Sequence, residues 1–373
     1  MQKKIIAAAV AGLLAVPAFA QSNVTISGLV KAGWEQYKLS GATGGGWDYS
    51  NENRVSDQSS RVIISATEDL GGGLKAWFQV DSRYANDTGG GTLGSGNTGV
   101  GLMGNWGKFT IGRWDLHYGE NGGLESNRAG SLQTYLTPGI MSQVNGATVA
   151  NGTRTNNVLM YDTPNWNGFT GRLAWAAAGP GGAEGSGARA TGVQDPGGGK
   201  AWTMAARYAA GPWAAGLSYW NSDAENKGAT GDQRGTRAWF GYNAPMGLKI
   251  GLVWDRSKVS SGAVTSEMWS SRSAWLLPVS YSFGPHAVYF AYAKAGNLSG
   301  SAVPAGTDAK GKAWSLGYDY AFSKRTSAGV YYTKLTNNTA GSYDMFGLGA
   351  SGATTTIAGE DAKQLYIGMA HSF

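Results

Sequence analysis

Three histidines, His117, His286 and His371, are the first residues to weigh for chemistry, because proton transfer near neutral pH draws on imidazole more than on any other side chain. A hydrolytic centre also needs serine or carboxylate within reach of the ring. In sequence only His117, two residues after Asp115, has such a neighbour, and a place in a loop accounts for it as well. His286 follows the turn Gly284-Pro285, and His371 shares the apolar parity of the C-terminal segment, so neither belongs to a site. The glycine runs Gly44–Gly46, Gly89–Gly91 and Gly197–Gly199 are not followed by Lys-Ser or Lys-Thr and a helix, as a phosphate loop would be. Asp223, Glu225 and Asp232 offer oxygen ligands for Ca2+ on external loops, but without the spacing of a calcium site. The chain is therefore expected to be no enzyme and to need no cofactor.

What remains is electrostatics, and its meaning depends on which way each charge points. Leu74, Ala76, Phe78 and Val80 alternate with Lys75, Trp77, Gln79, Asp81 and Arg83. Leu248, Ile250, Leu252 and Trp254 alternate with Lys249 and Asp255, and Trp314, Leu316, Tyr318 and Tyr320 with Ser315, Gly317 and Asp319. A period of two is a strand with an apolar face and a polar one. The alternation blurs around Val158, Leu159 and Met160, and again over 286–294.

Composition agrees with strands. Gly (60), Trp (15) and Tyr (18) are abundant, charged residues make up 14%, and cysteine is absent. Glycine at that level weakens helices, whereas aromatics and glycine together suit strands and tight turns. The net charge of +6 comes without any basic run, so nucleic acid is not the partner. Residues 1–20 read as a secretory signal peptide: Lys3 and Lys4, an apolar run, then Ala18-Phe19-Ala20, with cleavage near Ala20/Gln21. Residues 21–373 form one domain.

That domain resolves into segments of about ten residues joined by connections that alternate between short and long. The short ones include Asp69-Leu-Gly-Gly-Gly73 and Asn105-Trp-Gly107; the long ones include 38–58, 114–155 and 335–361. Sixteen strands are predicted, from 24–37 to 362–373. The last segment, Gln364–Phe373, alternates to its final residue, which predicts that it pairs with the first strand and leaves no edge. The expected fold is all-β: a 16-stranded antiparallel transmembrane β-barrel with short periplasmic turns, long external loops and, at this width, a water-filled interior.

Several segments resemble the Gram-negative general porins, particularly the β-proteobacterial type. They are Val24–Val30, the hairpin Ser60–Gln79, Ile111-Gly-Arg-Trp114, Arg154-Thr-Asn-Asn157 with Tyr161-Asp-Thr-Pro164, Tyr320–Thr326 and Gly368–Phe373. The resemblance implies a homotrimer in the outer membrane of a Gram-negative bacterium, in contact with outer-membrane lipid and lipopolysaccharide, and with the barrel-assembly machinery during biogenesis. It implies that the third loop, about 114–155, folds into the lumen and narrows the pore. It places Asp115, Glu120 and Glu125 on that loop, facing a basic wall of Arg61, Arg113 and Arg154, to which parity adds Lys75 and Arg83. Arg113 stands on the wall by resemblance alone. Phe373 resembles the terminal assembly signal. Lys31, where relatives place an acid, and Ser65, where a lysine is usual, depart from the pattern.

The expected function is general diffusion of ions and small hydrophilic solutes. By parity, inward Lys31, Lys75, Arg83, Arg172, Arg207, Arg237 and Lys249 outnumber inward Glu35, Asp81, Asp255 and Asp319, which predicts a mild anion preference. Mutual pairing of these charges would instead leave a nearly unselective pore. A second reading takes the inward Trp77, Trp220 and Trp239 as a track for sugars or aromatic solutes, making a substrate-specific channel. Outward tryptophans such as Trp34, Trp175, Trp213, Trp275 and Trp314 read as an aromatic girdle.

Overall fold

Alternating side chains demand that the chain bury one face and offer the other to an apolar surround, and the fold does both. A computed structural model describes residues 24–43, 49–116, 121–149, 154–177, 199–224, 232–261, 268–345 and 357–373. The signal segment, His117 and Glu120 lie outside the described residues.

Before the third long connection come β1 (Thr25–Ser40), β2 (Tyr49–Asp57), β3 (Arg61–Gly71), β4 (Leu74–Ala85), β5 (Gly90–Thr92), β6 (Thr98–Gly104) and β7 (Gly107–Trp114). That connection contains a 3-10 turn, Leu132–Thr134, a π-helical turn, Thr137–Met141, and the small hairpin β8 (Gln143–Val144) and β9 (Ala147–Thr148). There follow β10 (Thr155–Asp162), β11 (Phe169–Ala176), β12 (Gly199–Ala210), β13 (Trp213–Ala224), β14 (Gln233–Asn243) and β15 (Leu248–Ser261). The last are β16 (Met268–Phe283), β17 (His286–Ala295), β18 (Gly311–Ala321), β19 (Thr326–Asn337) and β20 (Asp361–Ser372).

Sixteen of these strands close into one antiparallel barrel. The sequence did not foresee β2 and β5. β2 pairs with the outer half of β1, from Ala32↔Asp57 to Leu39↔Tyr49, continuing the edge that β3 starts at Thr25↔Ser65. β5 extends the outer end of β4.

Closure is made by β1 and β20, in register from Leu29↔Ser372 to Ser40↔Asp361. Phe373 completes the seam: the Gly28 amide donates to its carbonyl at 3.1 Å, and its own amide donates to the Gly28 carbonyl at 3.2 Å. Deleting Phe373 is therefore expected to lower the amount of folded protein in membranes, measured by gel shift of unheated samples, while leaving the conductance of surviving channels unchanged. Normal folded levels would refute this role.

The outward face is apolar and open. Leu173 (55% exposed), Leu217 (56%), Leu316 (54%) and Ile367 (51%) lie on it, with the tryptophans Trp34, Trp175, Trp213 and Trp275. An apolar band this extensive suits hydrocarbon rather than water.

Candidate pore constriction

The inner wall is not uniformly polar, and its apolar part explains where the third loop goes. Leu124, Leu136, Ile140 and Met141 of the loop pack on Val253, Leu276, Tyr289 and Tyr331, and on Ala274, Ala291, Ala293, Ala295 and Ala313. Small inward alanines leave the depth the loop occupies. Gly241 and Gly251 do the same locally, since a Cβ at either would run into the Leu124 side chain. The loop's two ends, Leu116 at one and Val144 and Val149 at the other, pack with Val158, Met160, Ala174, Ala176 and Ala201 of β10–β12 and with Trp220 of β13. The third loop thus runs inside the barrel.

Hydrogen bonds fix what packing places. Asp319 of β18 accepts from the Arg128 and Ala129 amides at 2.8 and 3.1 Å. Ser131 donates to Gln364 Oε1 at 2.8 Å, and the Leu132 amide donates to Gln58 Oε1 at 2.7 Å. Asp255 is fully buried between Arg237, at 3.0 Å, and Arg272, both of them also fully buried. These two guanidiniums reach the loop's carbonyls: Arg237 Nη2 donates to Met141 O at 2.7 Å, and Arg272 donates to Met141 O and Gln143 O, each at 2.7 Å. Carbonyls left without an intrahelical partner at the end of a helical turn attract cations, so the wall caps the turn Thr137–Met141 with two arginines.

The sector that the loop leaves is basic. Arg61 on β3 and Arg83 on β4 face each other in register. Arg83 holds Asp81 with two bonds of 3.0 Å. Arg154 lies 4.0 Å from Asp115, and Arg113 donates to the Asn156 side chain and to Ser95 O at 3.4 Å. Arg61 makes no ion pair among the described residues, yet lies within electrostatic range of Arg83 and Arg154. Four guanidiniums against two carboxylates leave the cluster positive. Opposite Arg113 the register shifts around Asn156 and Asn157, the latter at φ 55. Such a bulge re-aims side chains, which is why parity could not orient Arg113.

A model of the Gram-negative porin family matches residues 7–340. The chain belongs to that family. It is 26% identical, over 375 residues covering 89% of this chain and 93% of the relative, to an outer membrane porin protein of Bordetella pertussis. It is 32% identical over 185 residues, 47% of this chain and 50% of the relative, to outer membrane porin protein 32 of Delftia acidovorans. Among solved structures the anion-selective porin from Comamonas acidovorans superposes with a TM-score of 0.69, at 23% identity, over 95% of this chain and 100% of that one. This porin is accordingly an outer-membrane protein of a Gram-negative bacterium, in a family of channels.

Three expectations need correction in the porin's geometry. Glu125 does not face the arginines. It is buried, and its carboxylate accepts from the Leu136 amide (2.6 Å), the Thr137 amide (3.1 Å), Asn121 (3.1 Å) and Tyr289 (3.3 Å). Burial pushes its carboxyl above the ordinary range, against the pull of these donors. It shapes the loop rather than the field. Asp115 lies beside Arg154, on the arginines' own side. Lys75 stands at the short-turn end of β4, eight residues from Arg83, or about 26 Å along the strand. It is not part of the cluster.

The inward tryptophans are inward but covered. Trp220 is fully buried beneath the loop's ends, and Trp239 and Trp77 are 8% and 6% exposed. Lys108 lies over Trp77, 3.6 Å from the ring centroid, and Trp114 meets it edge-on. No open row of ring faces results from these three. Sequence reasoning missed Arg272, Gln58 and Tyr289. Arg272 follows the inward parity of Ala274 and Leu276, so counting back from those residues would have found it.

Proposed function

We propose that this porin is a general diffusion channel for ions and small hydrophilic solutes, narrowed by the third loop and mildly selective for anions. It works as a homotrimer, without catalysis and without a cofactor. The observation that carries the reading is the positive cluster of Arg61, Arg83, Arg113 and Arg154 on the sector that the loop does not pack against. Asp81 and Asp115 offset it only in part, and Glu125 is turned away. In a narrow aqueous path screening is weaker than in bulk, so a net positive wall favours entry of anions. The solved structure described as anion-selective supports the same direction by analogy of fold.

Inward pairing elsewhere moderates the preference. Arg172 is held by Asp162, one bond being 2.9 Å, and Arg237 and Arg272 are spent on Asp255 and the loop. Planar-bilayer recording under a KCl gradient tests the proposal: the reversal potential is expected to have the sign of anion preference, with conductance steps in threes. A cation-selective sign would overturn it.

A further inference from the structure

At the long-loop end the inner wall is apolar where an open mouth would be wet. Leu39, Ala295, Leu335 and Ala362 are buried there, at the outer ends of β1, β17, β19 and β20. Apolar side chains on an inner face are stable only when something other than water covers them. The cover is the start of the last long connection. After β19 the chain turns into the barrel, and Tyr343 and Met345, 0% and 2% exposed, join these four residues in one cluster with Ile140 and Met141 of the third loop. Gly311, on the inward parity of Ala313 and Ser315, leaves the room, since a Cβ there would run into the Tyr343 ring.

Hydrogen bonds hold this strap, residues 338–345, on several sides. Asn337 donates to Tyr343 O at 2.8 Å, accepts from the Tyr343 amide at 3.0 Å and donates to Glu360 O at 2.7 Å. The Ala340 amide donates to Asp308 O at 3.0 Å, and Asn338 Nδ2 donates to Asp308 Oδ2 at 2.7 Å. A further tie comes from the third loop. Asn145 Nδ2 donates to Ala340 O at 3.1 Å, and Asn145 Oδ1 accepts from the Ser342 amide at 2.8 Å. One side-chain amide thus pairs with two backbone groups as a strand edge would. Asn145 and Gly146, with φ of 48 and 86, are the two-residue turn of the β8–β9 hairpin. That turn needs positive φ at both positions and favours Asn-Gly, so the residue that closes the hairpin also aims the amide at the strap.

We propose that Asn145 is a specificity-determining residue: it latches the strap to the third loop, and the latched pair sets the largest solute that enters from outside. The inference rests on the reading of the pore as a diffusion channel. It extends size selection from one loop to two, joined across the mouth by a single side chain.

The test uses the full protein in planar bilayers and in liposomes. N145G removes both bonds, keeps the left-handed turn and changes no charge. Losing two neutral hydrogen bonds should make a conductance level above the main one appear about thirty-fold more often. Liposome swelling with raffinose is expected to rise relative to swelling with arabinose, while the reversal potential stays where it is. N145C/S342C supplies the reciprocal arm, because the chain has no cysteine of its own. Oxidation should cross-link the pair and abolish the upper level, and reduction should restore it. A raffinose-to-arabinose ratio unchanged in N145G would overturn the proposal. So would an equal rise for both sugars, which would mean that the whole mouth had loosened, or a loss of folded N145G on unheated gels, which would make the contact a fold determinant. Failure of the cysteine pair to cross-link would overturn it as well. A cation-selective reversal potential together with the expected size effects would uphold the latch and overturn only the anion preference.

Discussion

Replacing Asp255 by alanine is expected to destabilise the barrel by about 3–5 kcal/mol, because it strands two cations in a fully buried site. Heat or urea unfolding monitored by gel mobility would measure this. Stability alone does not show that the cluster holds the third loop, so a second variant separates the two roles. Replacing Arg237 and Arg272 by methionine and Asp255 by leucine removes the buried charges together, and such replacements are often neutral or stabilising. The triple variant should fold about as well as the wild type, yet lack every side-chain bond to Met141 O and Gln143 O. Its open-channel current is then expected to be noisier, with frequent sublevels. A triple variant as quiet as the wild type would show that packing on the alanine bed holds the loop unaided.

Reversing the charges of Arg61 and Arg154 is expected to invert the ion preference. A unit charge about 8 Å from a permeating ion, at an effective dielectric constant of about 40, contributes about 1 kcal/mol. Two reversals at that range lower the anion-to-cation permeability ratio by at least about ten-fold. Arg61 makes no ion pair among the described residues and Arg154 only a 4.0 Å approach to Asp115, so neither substitution dismantles a tight pair. The reversal potential of R61E/R154E is the measurement, with K75E as comparison. Because Lys75 stands far from the cluster along β4, K75E should leave the ratio nearly unchanged. If K75E shifts selectivity as much as the double variant, the short-turn vestibule sets it instead.

β10 and β17 show where reading the sequence stopped. Val158 and Met160 looked like a broken alternation, and Ala291, Ala293 and Ala295 like an inner face without polarity. Both are inward faces that the third loop covers. Period-two patterning reports whether a face meets water or an apolar neighbour; it does not report which neighbour. Glu125 failed for a related reason, because a loop carboxylate looks the same in sequence whether it faces an aqueous path or its own backbone amides.

The sequence by itself determined the sixteen strands of the barrel wall, the direction of most side chains and the closure of β20 on β1, down to the parity of Lys75 and Asp255. Those properties follow from local alternation and from the rule that a membrane barrel leaves no edge. Only the tertiary structure decided that the third loop lies on an alanine bed and is gripped by Arg237 and Arg272, that Glu125 is buried, and that Asn145 meets the last long connection. These depend on contacts between residues far apart in the chain, and on shape, which alternation does not encode.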